Sequence, residues 1–148
     1  MSALFIYNMG RCAVIVADCR VTTYTDNTNT TVKSRRLDGK IVRTGIGFVT
    51  GTGLVELLDS VKDRVADEDI ESVDDLCRII EQEVEDVESD PKLSGKAREQ
   101  ALKTGFAFTY TTVDVDGLPL IRAAISHPAS GDRALYGVPA GNLLALVP

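Results

Sequence analysis

The chain has 148 residues, of which 44% are hydrophobic and 26% are charged, and its formal net charge is −6. This length predicts one domain whose core needs no metal or disulfide. No apolar run approaches the roughly 20 residues that span a bilayer, and the N-terminus lacks the basic region of a signal peptide, so we expect a cytoplasmic protein without a membrane partner. Twelve of the 22 acidic residues lie between Asp67 and Asp90, and this block disfavours nucleic-acid binding.

The first third of the chain has strand character. Residues 4–7 and 12–21 are apolar or β-branched runs around a turn, which predicts a β-hairpin. Residues 22–31 lack periodicity and indicate a loop or ragged edge. The pair Asp38-Gly39 is a hairpin signal between two further strands, the second of which is expected over residues 41–49.

The pattern becomes helical at residue 52. Apolar side chains recur at helical spacing over residues 52–65 and predict a first helix. A second helix is predicted to begin at Ser72, with Asp75 three residues on as in a capping box, and to end at Pro91. Its buried stripe is expected to comprise Val73, Leu76, Cys77, Ile80, Val84 and Val87. A further helical stretch is expected over residues 96–103.

The last third returns to strands. Residues 106–115 and 118–126 flank an Asp-Gly turn and predict a hairpin, followed by a short strand over 134–138 and a new element from 142. The order is therefore hairpin, hairpin, helix pair, hairpin and strand. Runs of strands separated by helices predict an α+β fold of antiparallel sheets with segregated helices.

Metal and cofactor chemistry is disfavoured by the residue counts. The cysteines Cys12, Cys19 and Cys77 have no zinc spacing, and His127 is the only histidine of the sequence. No Gly-Lys-Ser/Thr follows the glycines of residues 45–53, so a phosphate loop is not predicted. We expect no cofactor and no metal, with Cys12 and Cys77 in the core.

Three residues could together form a nucleophilic site. Ser2 becomes the N-terminal residue if Met1 is removed, and its hydroxyl could then use its own α-amino group as base. The pKa of such an amine is about 7.7–8.0, close to the useful range at neutral pH. A lysine such as Lys33 could stabilise charge, and a carboxylate such as Asp18 could hold that ammonium in place.

The sequence resembles the proteasome β-subunits and the bacterial HslV peptidase, which are N-terminal nucleophile (Ntn) hydrolases. The resemblance is carried by three short motifs, Val16-Ala17-Asp18-Cys19-Arg20, Lys33-Ser34-Arg35-Arg36-Leu37 and Gly47-Phe48-Val49-Thr50-Gly51-Thr52. Counting back from Asp18 places Ser2 where the family keeps its terminal threonine.

The resemblance implies roles for individual residues. Ser2 would be the nucleophile, Lys33 the cation that lowers its pKa, and Asp18 the carboxylate that orients Lys33. The backbone N–H groups near Thr50 and Gly51 would form an oxyanion hole. It also implies a four-layer αββα sandwich, a peptide or amide substrate, and assembly into a homo-oligomer of the ring-forming kind.

The sequence also departs from the family pattern. Serine replaces threonine at the nucleophile position, and Pro139-Ala140 replaces a supporting serine motif. By the resemblance a third helix should begin near residue 142, so the family fold would be incomplete at its C-terminal end. The alternatives are a proteasome-like structural subunit without activity, or a small-molecule enzyme similar to the inosinate cyclohydrolases, for which Lys33, Arg35 and Arg36 would supply a basic pocket.

Each of these residues also has an ordinary structural interpretation. Asp18 alone could cap a turn at the end of a strand, and Lys33 alone could be a surface lysine. Gly51 could serve close packing between helix and strand rather than an oxyanion hole. Cys19 has no predicted histidine partner, so a small core residue is the simpler interpretation.

Overall fold

The computed structural model describes residues 3–18, 20–24, 31–36, 39–127 and 135–146, the backbone alone for 20–24 and 31–36. The elements are β1 (Leu4–Asn8), β2 (Ala13–Ala17), β3 (Arg20–Tyr24), β4 (Thr31–Arg36), β5 (Val42–Arg43), β6 (Gly47–Thr52), α1 (Val55–Asp67), α2 (Val73–Ser89), α3 (Gly95–Leu102), β7 (Gly105–Val113), β8 (Pro119–Ser126), β9 (Leu135–Gly137) and β10 (Leu143–Leu146). All strand pairs of these residues are antiparallel, as the element order predicts.

The strands of the described residues form three sheets. A five-stranded sheet has the order β5-β6-β7-β8-β9, a three-stranded sheet the order β10-β1-β2, and β3 and β4 pair with each other. The helices pack on one face of the five-stranded sheet around Phe106, Phe108 and Leu57. The other face of that sheet meets the three-stranded sheet, where Leu4 and Ile6 form a second core. Helices, five-stranded sheet and three-stranded sheet are thus successive layers.

Local signals explain the helix pair. The Ser72 hydroxyl accepts the N–H of Asp75 and the Asp75 carboxylate accepts the N–H of Ser72, so the predicted capping box is present. Leu76, Ile80 and Val84 of the predicted stripe are buried, and its other members pack partly buried against the same core.

A buried carboxylate within α2 was not predicted. Glu83 is buried between α1 and α2, where it binds Arg64 at 3.1 Å and accepts a hydrogen bond from the Ser60 hydroxyl. Both partners belong to α1. The ion pair and the hydroxyl offset the cost of taking this carboxylate out of water, so the helix pair keeps a charge at its interface.

Two predicted strands are divided in the structure. The run 12–21 breaks at Asp18, because β1 pairs only as far as Leu4 opposite Ala17 and the residues beyond pair with β4. The run 41–49 is divided by a turn in which the Thr44 hydroxyl accepts the N–H of Gly47 at 2.9 Å. The first division gives the chain a different partner, whereas the second folds the chain back so that β5 and β6 pair with each other.

Two further expectations are wrong. Gly39 has a positive φ of 85°, as a turn requires, but its flanking strands β4 and β5 pair with β3 and β6, so no hairpin forms there. The element near residue 142 is a strand rather than a helix, since β10 pairs with β1 and places Leu146 opposite Leu4. In both cases partners distant in sequence decide the structure.

Candidate active site

Asp18 lies at the point where the chain leaves the three-stranded sheet. It follows β2, and its backbone N–H donates to the carbonyl oxygen of Ala3 at 2.9 Å. That bond continues the ladder of β1 and β2 by one step beyond the pair Leu4–Ala17. Asp18 is therefore tied to the residue that directly follows Ser2, and Ser2 itself lies outside the described residues.

The backbone carbonyl of Asp18 has a lysine contact that was not predicted. The Lys40 ammonium donates to the backbone carbonyl oxygen of Asp18. The two residues are 22 positions apart, so no local pattern in the sequence indicates this contact. The signal in the sequence was that Lys40-Ile41 resembles the Lys-Val that follows Lys-Val-Arg-Arg-Leu and a short turn in the HslV-like pattern.

Lys33 lies in β4, opposite Thr23 of β3. At the end of this strand pair nearest Asp18, Arg20 pairs with Arg36. The backbone of Lys33 is three residues further along, about 10 Å at a strand rise near 3.3 Å. Its side chain is not among those described, so its predicted approach to Asp18 stays a prediction.

Thr50 and Gly51 occupy the last part of β6. Thr50 is 1% exposed, and its hydroxyl oxygen has no hydrogen-bond partner among the described residues. A Cβ atom on Gly51 would lie 2.4 Å from Leu58 Cδ2 and 2.8 Å from the carbonyl oxygen of Gly105. Gly51 is thus needed for close packing of strand and helix, and the oxyanion role of both residues stays a prediction.

The same end of the molecule holds His127. Gly105 pairs with Thr52 of β6, and a Cβ on Gly105 would lie 3.3 Å from Leu146 and 3.5 Å from the His127 ring. Because Leu146 pairs with Leu4, this end of the five-stranded sheet faces the start of β1. The structure therefore gathers Ala3, Asp18, Lys40 and His127 at one end of the two-sheet core. His127 was given no catalytic role from the sequence, because no acid and nucleophile could be identified as its partners.

Two of the three cysteines, Cys12 and Cys77, lie among the described residues. Cys77 packs half-buried against the helix core as predicted, and burial raises the pKa of its thiol to about 11, with Glu81 and Asp74 adding to the effect. It is therefore a protonated thiol at neutral pH. The prediction for Cys12 is wrong: it is exposed in the turn after β1, with its Sγ 3.5 Å from Met9 Sδ. Cys19 lies outside the described residues.

Two further findings concern the described part of the chain. No group of three His, Cys, Asp or Glu side chains there is arranged to hold a metal ion. None of the helices found in that part is long and apolar enough to cross a membrane.

The outer face of the three-stranded sheet is apolar and open. Alternate residues of β1 point away from the core, so Phe5 is 40% exposed while Leu4 and Ile6 are buried. This outer face borders a shallow cavity of about 300 Å³ whose lining residues are Phe5, Tyr7, Val14, Val16 and Leu143. In a complete αββα sandwich a helix layer covers such a face.

The fold can be assigned to a class. Antiparallel sheets packed face to face, with helices on the outside of one, are the α+β arrangement of the Ntn type. No family model matches the sequence, and a comparison with curated proteins found no match.

Solved structures support this class. One is an Anbu (Gly-1) mutant from Hyphomicrobium sp. strain MC1, with a TM-score of 0.59 and 14% identity over 99% of this chain. A second crystal form of Anbu from the same strain has a TM-score of 0.56 and 14% identity over 98%. This chain spans 60% of the length of either Anbu chain. At this identity the likeness shows a shared proteasome-like Ntn fold.

Proposed function

We propose that this protein is an Ntn hydrolase that cleaves amide or peptide bonds with Ser2 after removal of Met1. The observation that carries the proposal is the contact between Asp18 and Ala3, which ties the motif aspartate to the residue beside the proposed nucleophile. The Lys40 ammonium on Asp18 adds a positive charge at this point. The likeness in fold to Anbu supports the proposal as well.

The proposed reaction uses the terminal residue as both nucleophile and base. The α-amino group accepts the hydroxyl proton while Ser2 Oγ bonds to the substrate carbonyl carbon. The C–N bond then breaks, the leaving amine takes that proton, and an ester remains on Ser2. Water attacks the ester, and a carboxylic acid and free Ser2 are released.

The other proposed residues act on charge and position. We propose that Lys33 stabilises the charge at the nucleophile and that the Asp18 carboxylate orients Lys33. The backbone N–H groups near Thr50 and Gly51 would bind the oxyanion of the tetrahedral intermediate. The partners proposed are a peptide or amide substrate and further copies of the chain in a homo-oligomer, which light scattering would report as a multiple of 15.9 kDa.

Intact mass is the first test of the Ser2 mechanism. A retained methionine would put the amine of Ser2 into a peptide bond and remove the base, so we expect the purified protein to lack Met1. A peptide epoxyketone, which reacts with a terminal hydroxyl and amine, is then expected to label Ser2. Labelling should disappear in Ser2→Ala and persist in Ser89→Ala, a matched change of an exposed serine at the end of α2.

Two outcomes would contradict the proposal. If Met1 is retained and no protease is needed to mature the chain, the terminal amine of Ser2 is excluded as the base. Met1 removed without labelling of Ser2 would exclude the nucleophile. Either result would favour a proteasome-like structural subunit. Specific binding of a phosphate-bearing nucleotide at Lys33, Arg35 and Arg36 would instead favour the cyclohydrolase-like alternative.

A further inference from the structure

Lys40 connects two parts of the chain that the sequence separates. It follows Gly39, whose φ of 85° turns the backbone between β4 and β5, and its side chain reaches back to the end of β2. There the ammonium donates to the carbonyl oxygen of Asp18, and the Asp18 N–H donates to Ala3. Lys40, Asp18 and Ala3 therefore form a continuous hydrogen-bonded series that ends beside Ser2.

The chemistry of this contact differs from that of an ordinary surface lysine. A hydrogen bond from an ammonium is stronger than one between neutral groups, and it gives the carbonyl oxygen at the strand break a partner. Lys40 is partly buried, so solvent screens the contact less than a fully exposed one. Of the three N–H donors of the ammonium, one is used at this carbonyl.

We propose that Lys40 is a positioning residue of the Ser2 site, which holds the Asp18 strand end against Ala3 and adds positive charge beside the terminal residue. The inference rests on the proposed function, because Lys40 acts through Asp18 on Ser2. It deepens that function by assigning a second lysine in addition to Lys33. The effect of the charge can be tested separately from the effect of the hydrogen bond, because a glutamine at position 40 carries a neutral donor and no charge.

Three variants of Lys40 test the proposal. Lys40→Met removes both charge and donor, Lys40→Gln keeps a neutral donor, and Lys40→Arg keeps both. The readouts are the rate at which the peptide epoxyketone labels Ser2 and the hydrogen exchange of the Asp18 amide. We expect labelling to slow about tenfold in the Met and Gln variants and to recover in the Arg variant. The rate of hydrogen exchange at the Asp18 amide should rise about tenfold in the Met variant and less in the Gln variant.

Lys96→Met is the matched control, since Lys96 is exposed on α3, and it should change neither readout. The proposal would be overturned if Lys40→Met kept the wild-type rate of Ser2 labelling and the wild-type rate of hydrogen exchange at the Asp18 amide. Where that variant does not fold, equal labelling in the Gln and Arg variants would overturn it. If wild-type Ser2 is not labelled, the proposed function fails, and the exchange at Asp18 still decides whether Lys40 holds the strand end.

Discussion

The two sheets that share the second core differ in what covers their other faces. In the five-stranded sheet, consecutive residues of β7 from Gly105 to Thr109 are buried, because the helices cover one face and the three-stranded sheet covers the other. In β1 buried and exposed residues alternate, and the exposed ones include Phe5 and Tyr7. A strand covered on both faces is a continuous apolar run, whereas a strand covered on one face alternates. Burial in the core therefore explains the apolar inner side chains of β1, but it does not explain the apolar outer side chains.

The largest effect is expected in the helix-covered core. Phe108 is fully buried between the five-stranded sheet and the helices. Phe108→Ala removes most of that side chain and leaves a cavity, so we expect unfolding free energy to fall by about 3–5 kcal/mol. Urea unfolding followed by circular dichroism measures this change. Phe5→Ala is the matched control on the open face. An equal loss of unfolding free energy in Phe5→Ala would contradict the inference that the two sheets differ in how their outer faces are covered.

An intermediate effect is expected at the start of α2. Ser72→Ala removes the side-chain half of the capping box and should cost about 1 kcal/mol at neutral pH. The Ser72 hydroxyl also holds the pKa of Asp75 below its ordinary value of 3.8. A carboxylate with a lowered folded-state pKa stabilises the fold above its unfolded pKa, and that stability is lost as the pH falls through the folded value.

The difference between wild type and Ser72→Ala should therefore be largest at about pH 7 and narrow below about pH 3.8. Urea midpoints at several pH values measure it. Ser94→Ala is a suitable comparison, because Ser94 accepts the N–H of Ala97 at the start of α3 in the same manner. A difference that stays constant down to acid pH would show that Asp75 does not contribute through its charge.

The smallest effect on stability is expected on the open face. Val16 is 54% exposed there, so Val16→Ser should change the free energy of unfolding by no more than about 0.5 kcal/mol in the single chain. The same substitution at Val61, which is fully buried in α1, should cost several times as much. A large loss in Val16→Ser, dependent on protein concentration, would show that this face is covered in solution.

Much of the fold could be predicted because its signals are local. The bounds of α2 follow from Ser72, the apolar stripe and Pro91, all within one segment. The hairpin of β7 and β8 follows from strand character on both sides of the Asp-Gly turn, where Gly117 has a φ of 77°. Asp18, which the family motif singled out, directly follows β2 in the structure.

The candidate site was predicted only in part. Asp18 was identified from its motif, and the contact of Lys40 with its backbone carbonyl was not predicted, while the predicted approach of Lys33 to its carboxylate stays a prediction. His127 was given no role, although it lies at the same end of the core. Each of these placements depends on strands that are distant in sequence, and no periodicity or motif reports which strands meet.

The sequence alone therefore determined the antiparallel α+β class and the helix pair, because short-range periodicity, caps and turns specify them. Only the tertiary structure decided that the chain changes sheets at Asp18, that β10 pairs with β1, and that Lys40 reaches the Asp18 carbonyl. Strand pairing satisfies backbone groups that have no local partner, and many partners are compatible with the same alternation. The packing of the whole chain selects among them, and this selection brings Lys40 to Asp18 beside the start of β1.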